Sequence, residues 1–420
     1  MARESPLNQF HTESEASFLA WGPPGEGALV VETFGELESE YAALRKGCVL
    51  IDEPQRGTVR VTGDDRLEFL GRMITQQVQG VEPWRMVRSF WLNRKGRIDA
   101  DLRVVLLPGE AVLDVDVLAA GRTAETLGSF LFAEDVELVD ASEDRHRLSL
   151  HGPTALAVLA EAAEETGADG APALGELEPG GATVARIAGA EVVVFRDDLT
   201  AEPGLYLDVP TDAAAAVYAR LVEAGAPTET EPRHRLRRAG WHALNIARIE
   251  AGSPVYNLDF GPDSLPAETG VLRDRVSFTK GCYLGQEVVA RMDALGHPKK
   301  VLVALRIDAS SARSPEAQPT TGAAVLPGGG VEGDDAATAG ASPGEGNARS
   351  GGGMGGRGGG VGAVTSSVRS PMLGDDVVCL AMVKWGEHEP GREVRVETAA
   401  GPAPARVQPG LRSWPPAGDA

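Results

Sequence analysis

The chain has 420 residues with 40 Lys+Arg against 61 Asp+Glu, a net charge of −21. That length calls for two or three compact units, and an apolar fraction of 42% supplies cores for them. The acidity excludes broad electrostatic binding to nucleic acid or to an anionic membrane, while a local basic patch could still take phosphate. Cys48, Cys282 and Cys379 are odd in number and far apart, without a CxxC pair, which excludes a disulfide framework and a zinc knuckle. A polar N-terminus and the lack of a long apolar run predict no membrane partner and a reduced, cytoplasmic protein.

In chain order, residues 1–33 are rich in Gly and Pro and read as a loose arm. Helical spacing of Leu37, Tyr41 and Leu44 predicts a helix over 36–46. A strand over 58–62 runs into Gly63-Asp64-Asp65 and a second helix carrying Leu67, Leu70 and Ile74. Residues 90–92 and 98 onward form two strands joined by Asn93-Arg94-Lys95-Gly96, a hairpin turn. Leu113, Val115 and Val117 alternate with Asp114 and Asp116, the pattern of a strand wet on one face. Residues 161–181 include a surface loop, and 192–195 and 205–209 are strands around a polar loop. A helix is predicted from Pro232 to Gly252, made basic by Arg233, Arg235, Arg237, Arg238 and Arg248. A β-rich region begins at 301, is interrupted by a low-complexity insert over 310–360, and ends in a loose tail over 399–420. The mixture of hairpins and helices predicts an α+β class.

Lys280-Gly281-Cys282-Tyr283-Leu284-Gly285-Gln286-Glu287 carries the most chemistry. An ammonium before the thiol and a helix starting near Gly285 would both favour the Cys282 thiolate; the bland reading is a buried structural cysteine. Cys48 and Cys379 lie in apolar contexts and read as core. No histidine spacing suits a metal.

This motif resembles the mark of the YgfZ family of folate-binding proteins, relatives of the glycine-cleavage T-protein (aminomethyltransferase, GcvT). Segments in superfamily order add to the resemblance, among them Gly96-Arg97-Ile98-Asp99-Ala100-Asp101-Leu102, Arg248-Ile249-Glu250-Ala251-Gly252 and Leu265-Pro266-Ala267-Glu268-Thr269-Gly270. The resemblance implies a GcvT-like fold: two ferredoxin-like α+β units around a central folate cleft over 34–300, and a C-terminal β-barrel over 301–398. It implies tetrahydrofolate or a one-carbon derivative as cofactor, and iron–sulfur client enzymes, including those of tRNA modification, as partners. The alternative is a tetrahydrofolate-dependent aminomethyl- or methyltransferase. A pure folate-binding module is a third reading.

The resemblance also assigns residues. Cys282 and Lys280 form the working thiol, with Tyr283 and Gln286 beside the cofactor. Asp101 stands where T-proteins keep an acid/base or charge stabiliser; the bland reading places it with Asp99 on the wet face of a strand. Glu202 falls near the glutamate that grips the pterin edge, although Leu199-Thr200-Ala201-Glu202 replaces Tyr-Thr-Gly-Glu, so it reads equally as loop solvation. Arg248 is expected to approach folate, with Arg237 and Arg238 extending the attraction to glutamate carboxylates; the alternative is a solvated basic face.

Overall fold

A computed structural model describes residues 3–167, 170–227, 235–308, 310–311, 314–328 and 359–413. Two antiparallel-rich sheets face each other. One runs, in spatial order, Glu165–Thr166, Ala182–Ile187, Ala190–Arg196, Gly204–Pro210, Arg145–His151, Val49–Asp52 and Arg237–Arg238. The other runs Arg85–Leu92, Ile98–Leu106, Ala111–Asp116, Arg56–Thr62 and Glu137–Asp140. Helices cover their outer faces: Ala155–Ala162 and Ala214–Ala224 on the first, Arg66–Met73 and Val117–Gly128 on the second. Gly57 permits the last of these to lie close, since a Cβ there would sit 2.8 Å from that of Ala120. A closed six-stranded barrel follows: Lys300–Ile307, Asp376–Lys384, Gly362–Ser370, Ala324–Pro327, Glu393–Val396 and Ala403–Val407. The class is mixed α/β with a C-terminal closed barrel, as the sequence implies.

The inner faces of the two sheets decide the site. Strand Ile98–Leu106 alternates: Ile98, Ala100, Leu102 and Val104 enter the apolar core, while Asp101 and Arg103 lie on the opposite face, where Arg103 reaches Asp197 of the other unit, and Asp99 accepts from Asn93 of the hairpin turn. Part of the seam is apolar, formed by Met86, Val105, Val193, Phe195 and Tyr206. The rest is charged and buried.

Several sequence expectations are corrected. The N-terminal arm is folded: Ser17–Trp21 pairs with Ala28–Thr33, and Trp21 packs edge-on against Trp241 at 4.9 Å. His11 reaches the buried Asp52 at 2.9 Å, and Arg3 donates to Arg56 O at 2.7 Å. Its few aromatics are anchors that a Gly/Pro-rich composition hides. In the expected surface loop over 161–181, Leu174 and Leu177 are buried. The strand Ala111–Asp116 is not wet; Asp114 is 0% exposed because arginines of both sheets surround it. The basic helix is shorter than predicted, Trp241–Glu250. Ahead of it Gly240 is extended and passes so close to Glu32 O that a Cβ would lie 2.3 Å away. Arg237 and Arg238 instead pair in parallel with Val49 and Leu50, while Pro232 and Arg233 lie outside the described residues. The insert predicted over 310–360 begins later, since Ala324–Pro327 is a barrel strand; residues 329–358 lie outside the described residues. The tail supplies the barrel strand Ala403–Val407, and 414–420 lie outside the description.

Candidate active site

The charged half of the seam is a lattice of arginines and carboxylates. Asp114 accepts from Arg56 Nη2 at 2.7 Å and Arg103 Nη1 at 2.8 Å, with Arg147 Nε at 3.3 Å. Asp197, just past the strand Ala190–Arg196 of the facing sheet, accepts from Arg103 Nε at 2.6 Å and Arg88 Nε at 3.0 Å. Arg147 lies 3.1 Å from Asp208. Burial pushes both Asp114 and Asp197 up, but the surrounding guanidinium charges overcome it and hold them well below the usual carboxylate range. His151, beside this lattice, is pushed down to about 3, first by burial and then by the Arg103 charge, so it is neutral at pH 7. Tyr206, under the Arg103 guanidinium at 4.2 Å, is held neutral by burial.

At the rim of this lattice lies a cleft lined by Arg56, Arg88, Asp101, Arg103, Tyr256 and Arg275, with apolar walls from Leu102, Leu199, Pro254 and Val255. Asp101 therefore lines the cleft, with its side chain 17% exposed. It is held by Arg275, which donates from Nε to Oδ1 at 2.8 Å and from Nη2 to Oδ2 at 3.4 Å. The cleft is narrow, about 40 Å³, the room of roughly one water. Tyr256 is shared with a second chamber of about 400 Å³ that Asp99, Arg122, Asn257, Leu118 and Pro262 also line, within the range of small-molecule sites. The Tyr256 hydroxyl donates to Asp99 O at 2.9 Å, so its ring forms a wall between Asp101 and the larger space.

The other sequence candidates are elsewhere. Arg248 is 0% exposed and donates to Asn245 Oδ1 (2.9 Å), Asp259 Oδ2 (2.5 Å) and Ser366 Oγ (2.8 Å). It ties the helix to the barrel and does not line the cleft: a buried guanidinium needs carboxylate and hydroxyl partners, and those here are internal. Glu202 accepts from Arg45 Nη1 at 3.4 Å, is raised by burial, and lies outside the cleft lining. Arg237 pairs with Glu36 at 2.7 Å and Arg238 donates to Ser14 Oγ at 2.7 Å, at the edge of the seven-stranded sheet, whereas Asp101 is on the other sheet; neither arginine lines the cleft.

In the cysteine motif, Cys282 is exposed whereas Cys48 and Cys379 are buried. Burial pushes both core thiols up, Cys379 to about 12. The expected helix is present as Gln286–Leu295, entered through Gly285 at φ 82°. It packs on the hairpin turn, where Gly96 at φ 70° leaves space that a Cβ would contest with Val288 at 2.7 Å. Lys280 does not serve the thiol. Its ammonium donates to Ile74 O at 2.7 Å and Gln76 O at 2.9 Å, lies 5.2 Å from the Tyr283 ring centre, and is pushed down to about 8 by burial. Tyr283 is buried in the core of the five-stranded unit, and Gln286 sits in the first helical turn; neither lines the cleft. Among the described residues no group of three or more His, Cys, Asp or Glu could hold a metal ion, and no helix is long and apolar enough to cross a membrane.

Comparison with known proteins fits this architecture. Residues 8–280 match the GCVT N-terminal domain, and residues 300–410 match the glycine cleavage T-protein C-terminal barrel domain. The chain belongs to the glycine cleavage T-protein family. An aminomethyltransferase of Saccharopolyspora erythraea is 25% identical over 413 residues, 96% of each chain. One from Caldanaerobacter subterraneus subsp. tengcongensis is 25% identical over 305 residues, 71% of this chain and 76% of the relative. The structure of the glycine cleavage system aminomethyltransferase T from Bartonella henselae superposes with a TM-score of 0.77, at 21% identity and covering 98% of both chains; that likeness speaks for the fold.

Sequence reasoning missed Arg275, Tyr256 and the arginine–carboxylate lattice. Asp197 and Arg103 are 94 residues apart, and nothing local marks such pairs. The alternation of aspartates with valines in 111–116 was a signal of an inward polar face, but its partners come from the other sheet.

Proposed function

We propose that this protein binds a reduced folate at the Asp101 cleft and its adjoining chamber, and works on one-carbon units as T-protein relatives do. The observation that carries this reading is the placement of Asp101 at the seam between the two units, beside apolar walls and Tyr256. The donor set suits the ligand: a carboxylate accepts from an amino or imino edge of a pterin, and the adjoining chamber with Arg122 offers the volume for the rest of the molecule and a cation for a glutamate tail, with Tyr256 having to give way between the two spaces. Tetrahydrofolate would supply the nitrogen that accepts a one-carbon unit. This chain's part is to present Asp101 as a carboxylate at the cleft and to keep the lattice behind it dry. The aminomethyltransferase activity of the relatives supports one-carbon chemistry of this type. Titration of intrinsic fluorescence with tetrahydrofolate tests it: saturable binding is expected, weakened at least about tenfold in Asp101→Asn, the scale of a lost charge-assisted hydrogen bond. Wild-type protein that gives no saturable signal and no heat in calorimetry would end the reading.

A second reading has its own observation. Cys282 is exposed in a motif that resembles the YgfZ mark, which favours an accessory role in assembly or repair of iron–sulfur enzymes, those of tRNA modification included. Here the thiol and not Asp101 is essential. In a deletion strain, Cys282→Ser restoring iron–sulfur enzyme activity as fully as wild type would discard this reading, whereas loss in Asp101→Asn with a harmless Cys282→Ser selects one-carbon transfer.

A further inference from the structure

Asp101 and the exposed Cys282 belong to different segments, yet a closed set of hydrogen bonds joins their surroundings. Arg275 ends the short helix Leu272–Arg275 and is nearly buried, its side chain 3% exposed against 17% for Asp101. While its guanidinium holds Asp101, its carbonyl accepts from Thr75 Oγ1 at 2.6 Å. The same Thr75 hydroxyl accepts from the Phe90 N–H at 2.9 Å, and the Thr75 N–H donates to Phe90 O at 3.0 Å. Phe90 is the register partner of Asp101 on the neighbouring strand, which closes the cycle Asp101, Arg275, Thr75, Phe90. Beyond Arg275 the chain remains fastened to the same stretch: the Ser277 N–H donates to Thr75 O at 3.0 Å, and Lys280 caps the Ile74 and Gln76 carbonyls. Cys282 follows two residues later. The other partner of Arg275 is its neighbour Asp274, bound through Nη1 at 2.6 Å and with a side chain 57% exposed.

We propose that Arg275 is a positioning residue that couples the occupancy of Asp101 to the setting of the Cys282 loop. With Asp101 available as a carboxylate, Arg275 is anchored and residues 276–282 stay fastened to 74–76. A ligand group that takes the Asp101 oxygens removes that anchor, leaves Arg275 to the exposed Asp274, and loosens the loop that bears the thiol. Linkage requires the converse as well: a partner that grips the loop alters affinity at the cleft by the same factor. The cleft reports its state to the thiol surface through the side chain that holds its carboxylate. The ligand part rests on the folate reading above; the Asp101–Arg275 part does not.

The three cysteines supply the test, since Cys48 and Cys379 are 1% and 0% exposed and report any general opening. The full-length protein is alkylated with iodoacetamide and each cysteine is followed by peptide mass spectrometry. In the absence of ligand, Asp101→Asn and Arg275→Lys should each speed alkylation of Cys282 by about threefold or more, and the double variant should be no faster than the faster single one, as expected for one shared interaction. Cys48 and Cys379 should stay unlabelled; if they react in Asp101→Asn, Arg275→Lys, which keeps the positive charge but loses the forked geometry, decides alone. Cys282 rates equal to wild type in a folded variant, or effects that multiply in the double variant, overturn the coupling. Saturating tetrahydrofolate should reproduce the acceleration in wild type and not in Asp101→Asn. Binding seen by fluorescence with an unchanged Cys282 rate counts against the coupling, and absence of binding counts against the folate reading, leaving the ligand-free comparison to judge the coupling.

Discussion

Asp114 and Asp101 point into the same seam, but their surroundings differ in what they permit. Asp114 is shut in by three arginines from two sheets. Removing any partner there strands charge in a medium that cannot solvate it. Asp101, at the rim, has one arginine and partial access to solvent, so its partner can be exchanged for a ligand at modest cost. One chemistry thus serves two purposes: in the interior it locks the two units in register, and at the edge it leaves a carboxylate that can be used. The barrel junction repeats the interior case, with Arg248 and Asp259 both fully buried.

The comparison can be broken most directly at its buried end. Asp114→Ala leaves Arg56, Arg103 and Arg147 facing one another, and a loss of about 3–5 kcal/mol is expected in urea unfolding at pH 7. A loss under about 1 kcal/mol would mean that water already solvates the lattice. The neutral His151 gives an intermediate effect that depends on pH. Its folded pKa of about 3 lies below the ordinary value of 6.5, so between these the unfolded chain binds more protons. Stability therefore falls as pH drops below about 6.5, with a slope approaching about 1.4 kcal/mol per pH unit. His151→Asn should flatten the profile between pH 6.5 and 5; equal slopes in the two proteins would remove His151 from the account. At the rim, Asp101→Asn should cost about 1 kcal/mol or less of stability, since Arg275 retains Asp274. A cost as large as that of Asp114→Ala would erase the distinction between lock and rim.

Local patterns announced much of this fold. The turn at 93–96, the helix over 37–46, the β-rich end and the helix after Gly285 are written in glycine placement and apolar spacing, because they depend on neighbours a few residues away. Asp101 was legible through its motif, and the burial of Cys48 and Cys379 through their apolar flanks. The N-terminal hairpin was not, since Trp21 finds Trp241 and Asp116 across the whole chain. Nor was the start of the basic helix, which is fixed by the close passage of Gly240 over Glu32.

The sequence by itself determined many of the elements, the motif thiol and the two carboxylates of strand Ile98–Leu106. Tertiary structure decided what those charges do. A carboxylate's role follows from how many cations surround it and how much water remains, and here the cations arrive from segments up to 174 residues away, as with Arg275 on Asp101. For the same reason Arg248, a ligand-binding candidate by motif, became a buried tie to the barrel, and Lys280, expected beside the thiol, became a clasp on two carbonyls.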